Sequence, residues 1–246
     1  MRVGLFIPCY IDQFTPKVAI ATLELLEKLG CEVVYPQNQT CCGQPLANAG
    51  HESESLSVMR HFVTLFDGCD YIVSPSGSCV LHVRERYGAL GQSESVQRVR
   101  SQILELCEFL TDVLRIERLD ISFPHRVGVL VGCHGLRGLR LAGSSELVVE
   151  GPDKVRGVLD LVRDLEVVET SRKDECCGFG GTFAVMEEVV SSAMGRDRLR
   201  DFLEHGAEYV TSTDMSCLMH LEGIIRRTDL PLQIVHVSEI LNGGAT

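Results

Sequence analysis

Short apolar runs alternate with longer stretches whose apolar residues recur at helical spacing, from one end of the chain to the other. Residues 2–7 form such a run, broken by Pro8, and read as a buried strand that delivers Cys9 at its carboxyl end. Residues 16–29 place Val18, Ala21, Leu25, Leu26 and Leu29 on one helical face, with Gly30 where a helix stop belongs. A second strand follows over 32–35, then a loop over 38–50, a helix over 53–66 and a third strand over 71–74. Past residues 88–91, the pattern predicts one long helix over 95–114.

The pattern then starts again. Arg126-Val127-Gly128-Val129-Leu130-Val131-Gly132-Cys133 overlays Arg2-Val3-Gly4-Leu5-Phe6-Ile7-Pro8-Cys9 position by position. A helix over 153–163, a strand over 166–169 and a helix over 186–205 follow. Glu208-Tyr209-Val210-Thr211-Ser212 then matches Asp70-Tyr71-Ile72-Val73-Ser74, and the match continues to His82 and His220. A strand over 233–235 and a short helix end the repeat. The alternation predicts an α/β fold of two similar parallel-sheet units, residues 1–120 and 121–246, joined near 119–125.

The repeat also carries cysteines. Thr40-Cys41-Cys42-Gly43 returns as Glu175-Cys176-Cys177-Gly178, and each doublet has one cysteine upstream and one in a following Ser-Cys step. The first set is Cys9, Cys41, Cys42 and Cys79, with gaps of 31 and 36 residues; the second is Cys133, Cys176, Cys177 and Cys217, with gaps of 42 and 39. Each cysteine-bearing segment follows a predicted strand. In an open parallel sheet the functional crevice lies outside the strands' carboxyl ends, and right-handed crossovers put the three loops of a unit on one side. Each unit is therefore expected to gather four thiols at one rim.

A chain of 246 residues buries enough core to fold without disulfides, so its 11 cysteines call for chemistry. The first apolar run is too short for a secretory segment, and no stretch reaches the roughly 20 apolar residues of a membrane span. A cytoplasmic setting is expected, where dense cysteine is metal-binding or redox-active. The net charge of −11 argues against nucleic acid, whose phosphates are bound by clustered Lys and Arg. Neither a dinucleotide fingerprint nor a phosphate loop is present.

Four soft thiolates select iron-sulfur clusters or zinc. Cysteine zinc sites use tight turns with two to four residues between ligands, and adjacent side chains do not easily share one ion at Zn–S distances of about 2.3 Å. A larger cluster accommodates an adjacent pair, with the following glycine letting the backbone approach. The eight repeated cysteines are thus the candidate metal ligands, and zinc stays open for one half. Cys31, Cys69 and Cys107 have no counterpart in the other half and are expected in the core.

These motifs, together with Ser76-Gly77-Ser78-Cys79 and Cys177-Gly178-Phe179-Gly180-Gly181-Thr182-Phe183, resemble the cysteine-rich CCG-domain proteins, and among them most closely the lactate utilization protein A family. The heterodisulfide reductases and the glycolate oxidase iron-sulfur proteins share the motif. The resemblance implies an iron-sulfur subunit for oxidising L-lactate to pyruvate, with two [4Fe-4S] clusters and partner subunits, a ferredoxin-type iron-sulfur subunit among them. The fullest family motif ends in Cys-x-x-Cys; here the first member of each pair is Ser76 or Asp214, so disulfide-cleaving activity is not carried over. Asp214 either supplies an oxygen ligand or caps its helix, and the cap is favoured. His134 and Arg137 are candidate hydrogen-bond donors to cluster sulfur. His82 and His220, three residues beyond a cysteine, are either donors of that kind or plain core histidines.

Overall fold

The computed structural model describes residues 1–146 and 151–244. The first unit contains β1 (Arg2–Leu5), α1 (Cys9–Phe14), α2 (Pro16–Lys28), β2 (Glu32–Val34), α3 (Gln44–Asn48), α4 (Glu52–Phe66), β3 (Tyr71–Ser74), α5 (Gly77–Arg86), α6 (Glu94–Gln102), β4 (Ile103–Glu105) and α7 (Leu106–Glu108). The second contains β5 (Arg126–Leu130), α8 (Lys154–Leu159), β6 (Glu166–Val167), α9 (Phe183–Met186), α10 (Glu188–Glu204), β7 (Tyr209–Ser212), α11 (Met215–Thr228), β8 (Gln233–His236) and α12 (Val237–Leu241). Each unit has a four-stranded, all-parallel sheet, in the orders β2-β1-β3-β4 and β6-β5-β7-β8. The expected pair of similar α/β units is what the chain forms.

The shared glycine of the two leading strands has a packing reason. A Cβ on Gly4 would stand 2.9 Å from the Phe66 ring, and one on Gly128 only 2.3 Å from the Phe202 ring. Both rings are fully buried. The bare backbone of β1 and β5 thus lets α4 and α10 press an aromatic onto the sheet, a contribution of about 2–3 kcal/mol for each fully buried ring.

The long helix expected over 95–114 is not formed. Helix α6 ends at Gln102, Ile103–Glu105 pairs parallel with β3, and the chain continues through α7 into a π-type turn over Phe109–Leu114. The apolar spacing suited a helix, but pairing with the open edge of β3 satisfies the backbone of this largely buried stretch, and tertiary context overrides local propensity. The helix expected over 186–205 is formed as α10, preceded by the short α9, and the loop over 38–50 holds the short α3.

The last helix of each unit crosses to the other unit. Helix α12 packs on α2, tied by Lys17–Glu239 at 3.0 Å, by Lys28 to the Asn242 side chain at 2.7 Å and by Asn242 to Glu24 at 2.6 Å. Helix α7 packs on α8, and Lys154 of α8 pairs with Asp112 just beyond α7. Contacts between α1 and α11 and between α5 and the turn over His134–Gly138 are exchanged in the same way. The two repeats thus embrace each other through these exchanged contacts.

Glu105 and His236 occupy the same place in the two sheets, opposite Ser74 and Ser212, and each caps the exchanged helix that follows. Both are buried. Burial raises the Glu105 carboxyl to about 8 and lowers the His236 imidazole to about 4. His236 is neutral in the fold, so its contribution is present above the ordinary histidine value and is lost as pH falls through about 4. Denaturant unfolding of wild type is therefore expected to weaken by about 3 kcal/mol more than that of His236→Gln between pH 7 and pH 4. Parallel stability–pH curves for the two proteins would refute this assignment.

Candidate metal centre

Strand order places the cysteines before any side chain is considered. In each sheet the order reverses between the first and third strands of the unit, β1 and β3 or β5 and β7, the switch point at which an open parallel sheet leaves a crevice. Cys9 starts α1 just beyond β1, Cys79 is the third residue of α5 beyond β3, and Cys41–Cys42 lie in the loop beyond β2. Cys133, Cys217 and Cys176–Cys177 repeat this beyond β5, β7 and β6. Because the units embrace, the two rims meet. All eight cysteines line a single cavity of about 470 Å³ between the units.

Within each set the sulfurs are close. Cys9 Sγ is 3.7 Å from Cys41 Sγ, Cys42 Sγ is 3.4 Å from Cys79 Sγ, and Cys177 Sγ is 2.9 Å from Cys217 Sγ. All eleven cysteines are free thiols, and Cys31, Cys69 and Cys107 are buried away from the cavity, in the core as expected.

Charge is distributed alike in the two sets. Hydrogen bonds from Cys42 and Cys9, reinforced by the Gly43 amide, hold Cys41 as a thiolate at about 3. Hydrogen bonds from Cys133 and Cys177, with the Gly178 amide, hold Cys176 at about 2. The same bonds, together with burial, push Cys9, Cys42, Cys133 and Cys177 up. The Gly43 and Gly178 amides each lie 3.4 Å from the first sulfur of their doublet, and the Phe179 amide lies 3.4 Å from Cys177 Sγ. Each loop thus aims N–H groups at the sulfurs, as a negatively charged sulfur centre requires.

The doublet loops are held by residues that the motif did not mark. In the first unit, Gln39 accepts from the Ile7 amide at 2.8 Å and donates to the carbonyls of Leu5 and Pro36 at 3.2 Å each. Tyr87 donates to the Cys42 carbonyl at 2.9 Å. The second unit uses a buried ion pair: Asp201, bonded to Arg198 at 2.5 Å, accepts from the Ser171 and Arg172 amides at 3.1 Å each. No repeat relation links Gln39 with this pair, so comparing the two halves does not reveal them.

His134 Nδ1 lies 3.9 Å from Cys133 Sγ and lines the cavity, whereas Arg137 turns away to Glu146. His82 is buried and lowered to about 4 by desolvation; His220 approaches the Ser191 carbonyl at 3.3 Å and is lowered for the same reason. Both are neutral. Asp214 stands at the N-cap position of α11 but makes no cap bond there; its carboxylate crosses to the first unit. The favoured cap of its own helix is therefore corrected to a cap of α5.

The donor set is one of soft sulfurs, which suit iron-sulfur clusters or zinc. Among the described residues no three His, Cys, Asp or Glu side chains are grouped for one metal ion. Eight soft sulfurs lining one cavity are compatible with iron-sulfur ligation.

The cysteine-rich CCG domain matches this chain twice, over residues 3–84 and 127–222. The fold and its sulfur-lined rims are thus those of a tandem CCG-domain protein. Over 98% of its length the chain is 37% identical to lactate utilization protein A of Geobacillus thermodenitrificans, covering 99% of that protein. It is 38% identical to lactate utilization protein A of an Exiguobacterium species, covering 99% of this chain and 98% of that one. The chain belongs to the lactate utilization protein A family of cysteine-rich CCG-domain proteins. A hypothetical protein from Helicobacter pylori superposes on the whole chain with a TM-score of 0.67 at 11% identity; this chain spans 49% of its length, and the likeness concerns the fold alone.

The two doublet glycines differ in what surrounds them. Both have left-handed φ, +92° at Gly43 and +91° at Gly178. A Cβ at Gly178 would also stand 2.5 Å from the Ser191 carbonyl oxygen, whereas the nearest atom at Gly43 is 3.6 Å away. Gly43→Ala is expected to cost about 1–2 kcal/mol from φ alone, and Gly178→Ala clearly more, because backbone must move. Thermal unfolding of the two variants side by side tests this, and equal losses would refute it.

Proposed function

We propose that the chain is an iron-sulfur electron-transfer subunit of a lactate-oxidising system, holding one cluster in each unit. The observation that carries this reading is the meeting of both four-cysteine sets at one cavity. Cys9, Cys41, Cys42 and Cys79 would hold the first cluster, and Cys133, Cys176, Cys177 and Cys217 the second. When bound, such clusters exchange single electrons at potentials of about −700 to +450 mV, set by hydrogen bonding and exposure. The chain's part is to supply the thiolates, aim amides at them and exclude water with Ile11, Phe179 and Met215. Four thiolates per set suit a [4Fe-4S] centre, and the adjacent doublet in each favours it over zinc, since neighbouring side chains do not easily share one small ion.

The cavity does not suit a carboxylate substrate. Among its described lining residues there is no Lys or Arg, and its one acidic group, Asp214, repels an anion. Oxidation of the 2-hydroxy acid is accordingly assigned to another subunit, with this chain passing electrons onward. Disulfide cleavage in the manner of heterodisulfide reductase is disfavoured by Ser76 and Asp214, whose side chains are bonded to each other.

The cavity rim supports a partner. Val185 lines it and is 82% exposed, beside Met186 at 79% and Val189 at 74%, with the exposed Glu187 and Glu188 among them. On a chain of net charge −11, this apolar and acidic rim fits another subunit of the system that presents an apolar patch ringed by Lys or Arg, a ferredoxin-type iron-sulfur subunit in this reading. Eleven free thiols fit a reducing, cytoplasmic setting. Among the described residues no helix is long and apolar enough to cross a membrane.

Anaerobic reconstitution is expected to give about eight irons per chain with matching acid-labile sulfide. Cys42→Ala or Cys177→Ala should remove about half and leave the rest. Zinc without sulfide, or iron unchanged in either variant, would overturn the assignment. Val189→Lys is expected to weaken co-elution with the other lactate-utilization subunits while iron content is retained; undiminished co-elution would remove the rim from the interface.

A further inference from the structure

The repeats differ where each brings in its last cysteine. In the first unit Ser76 caps α5, its hydroxyl accepting from the Cys79 amide at 3.4 Å. The matching residue of the second unit, Asp214, leaves its own helix without a side-chain cap. Its carboxylate, 2% exposed, accepts instead from the hydroxyls of Ser76 at 2.8 Å and Ser78 at 2.7 Å and from the Ser78 amide at 2.9 Å. Ser76 and Asp214 also face each other as an antiparallel bridge, and the Gly77 amide donates to the Thr213 carbonyl at 3.3 Å. Every hydrogen bond of this carboxylate among the described residues is made to the first unit.

We propose that Asp214 is a positioning residue for Cys79, so that the first unit's thiol set is held in place by a side chain from the second unit's own cysteine loop. The proposal rests on the reading of both sets as cluster ligands. Ser78 precedes Cys79, and its amide and hydroxyl both end on the carboxylate, which fixes the first turn of α5 and with it the direction of the Cys79 side chain. Cys79 Sγ lies 3.4 Å from Cys42 Sγ, so a shift of that turn opens the set. The Ser76 and Ser78 hydroxyls lie 3.2 Å apart, so without the carboxylate one can donate to the other, but the second hydroxyl and the Ser78 amide lose their acceptor, which the turn relieves by moving. Cys217 does not depend on this side chain. Its turn is held by the Asp214 backbone carbonyl accepting from Leu218 at 3.3 Å, by the Asp214 amide donating to Ser212 Oγ at 3.1 Å and by Thr213 donating to the Val131 carbonyl at 3.2 Å. The serine and the aspartate at the two positions where the fullest family motif has a further cysteine thus form a tie between the units.

The test places Asp214→Ala in two backgrounds of the full chain. In Cys177→Ala, where only the first set is complete, the added change is expected to lower iron retention against a chelator at least about tenfold. In Cys42→Ala, where only the second set is complete, retention and the visible absorption of the remaining centre are expected to stay as they were, which also certifies folding. Asp214→Asn, which keeps an acceptor toward the hydroxyls or the amide but not both, should fall between. The reverse pattern, loss in both backgrounds or loss in neither would overturn the proposal. A metal-independent measurement separates it from the cluster reading: in the metal-free chain, Asp214→Ala should speed alkylation of Cys79 by iodoacetamide and leave Cys217 unchanged. If wild type takes up no iron and sulfide while Cys79 labelling still responds, the cluster reading fails and the tie stands. If Cys79 labelling does not respond, the tie fails.

Discussion

Every thiol of the site enters from the carboxyl end of a parallel strand, and the rest of the structure depends on that constraint. A parallel sheet sends each strand's exit to one rim, and a reversal of strand order leaves a gap there that no crossover helix fills. In both units that gap lies between the strands that deliver the first and last cysteines, and the doublet arrives from the strand beside them. Residues more than 30 positions apart therefore become neighbours without any long-range pairing among the cysteines themselves. The apolar strands, the glycines beneath Phe66 and Phe202 and the amphipathic helices all hold that rim.

The second organising feature is the exchange of helices. Because α7 leans on the second unit and α12 on the first, the repeats are interlocked, and their rims face one shared cavity. The sulfur-lined space formed in this way takes its walls from both units. The proposed division of labour, electron passage here and substrate oxidation in another subunit, rests on a lining without Lys or Arg among the described residues.

The two halves solve the same tasks differently. Gln39 fastens one doublet loop with a neutral amide, and the Arg198–Asp201 pair fastens the other with buried charge. Glu105 and His236 cap the exchanged helices, one as a buried acid and the other as a buried base. Ser76 caps its own helix, while Asp214 reaches across. The backbone repeats, and the two halves use it with unequal chemistry, so the two thiol sets have different surroundings despite their matching charge pattern.

The sequence by itself determined the two α/β units, their parallel sheets and the grouping of cysteines by repeat, because hydrophobic period and motif recurrence are local properties of the chain. It also placed Cys31, Cys69 and Cys107 in the core, where they lie. Only the tertiary structure decided that residues 103–105 join the sheet, since Ile103 and Leu104 suit a helix face until β3 offers a partner. Tertiary structure alone also decided that Arg137 turns to Glu146, that Asp214 caps the other unit's helix and that both cysteine sets share a cavity. These depend on where one unit lies against the other. Packing between separately folded surfaces leaves no period and no fixed spacing in the chain that makes them.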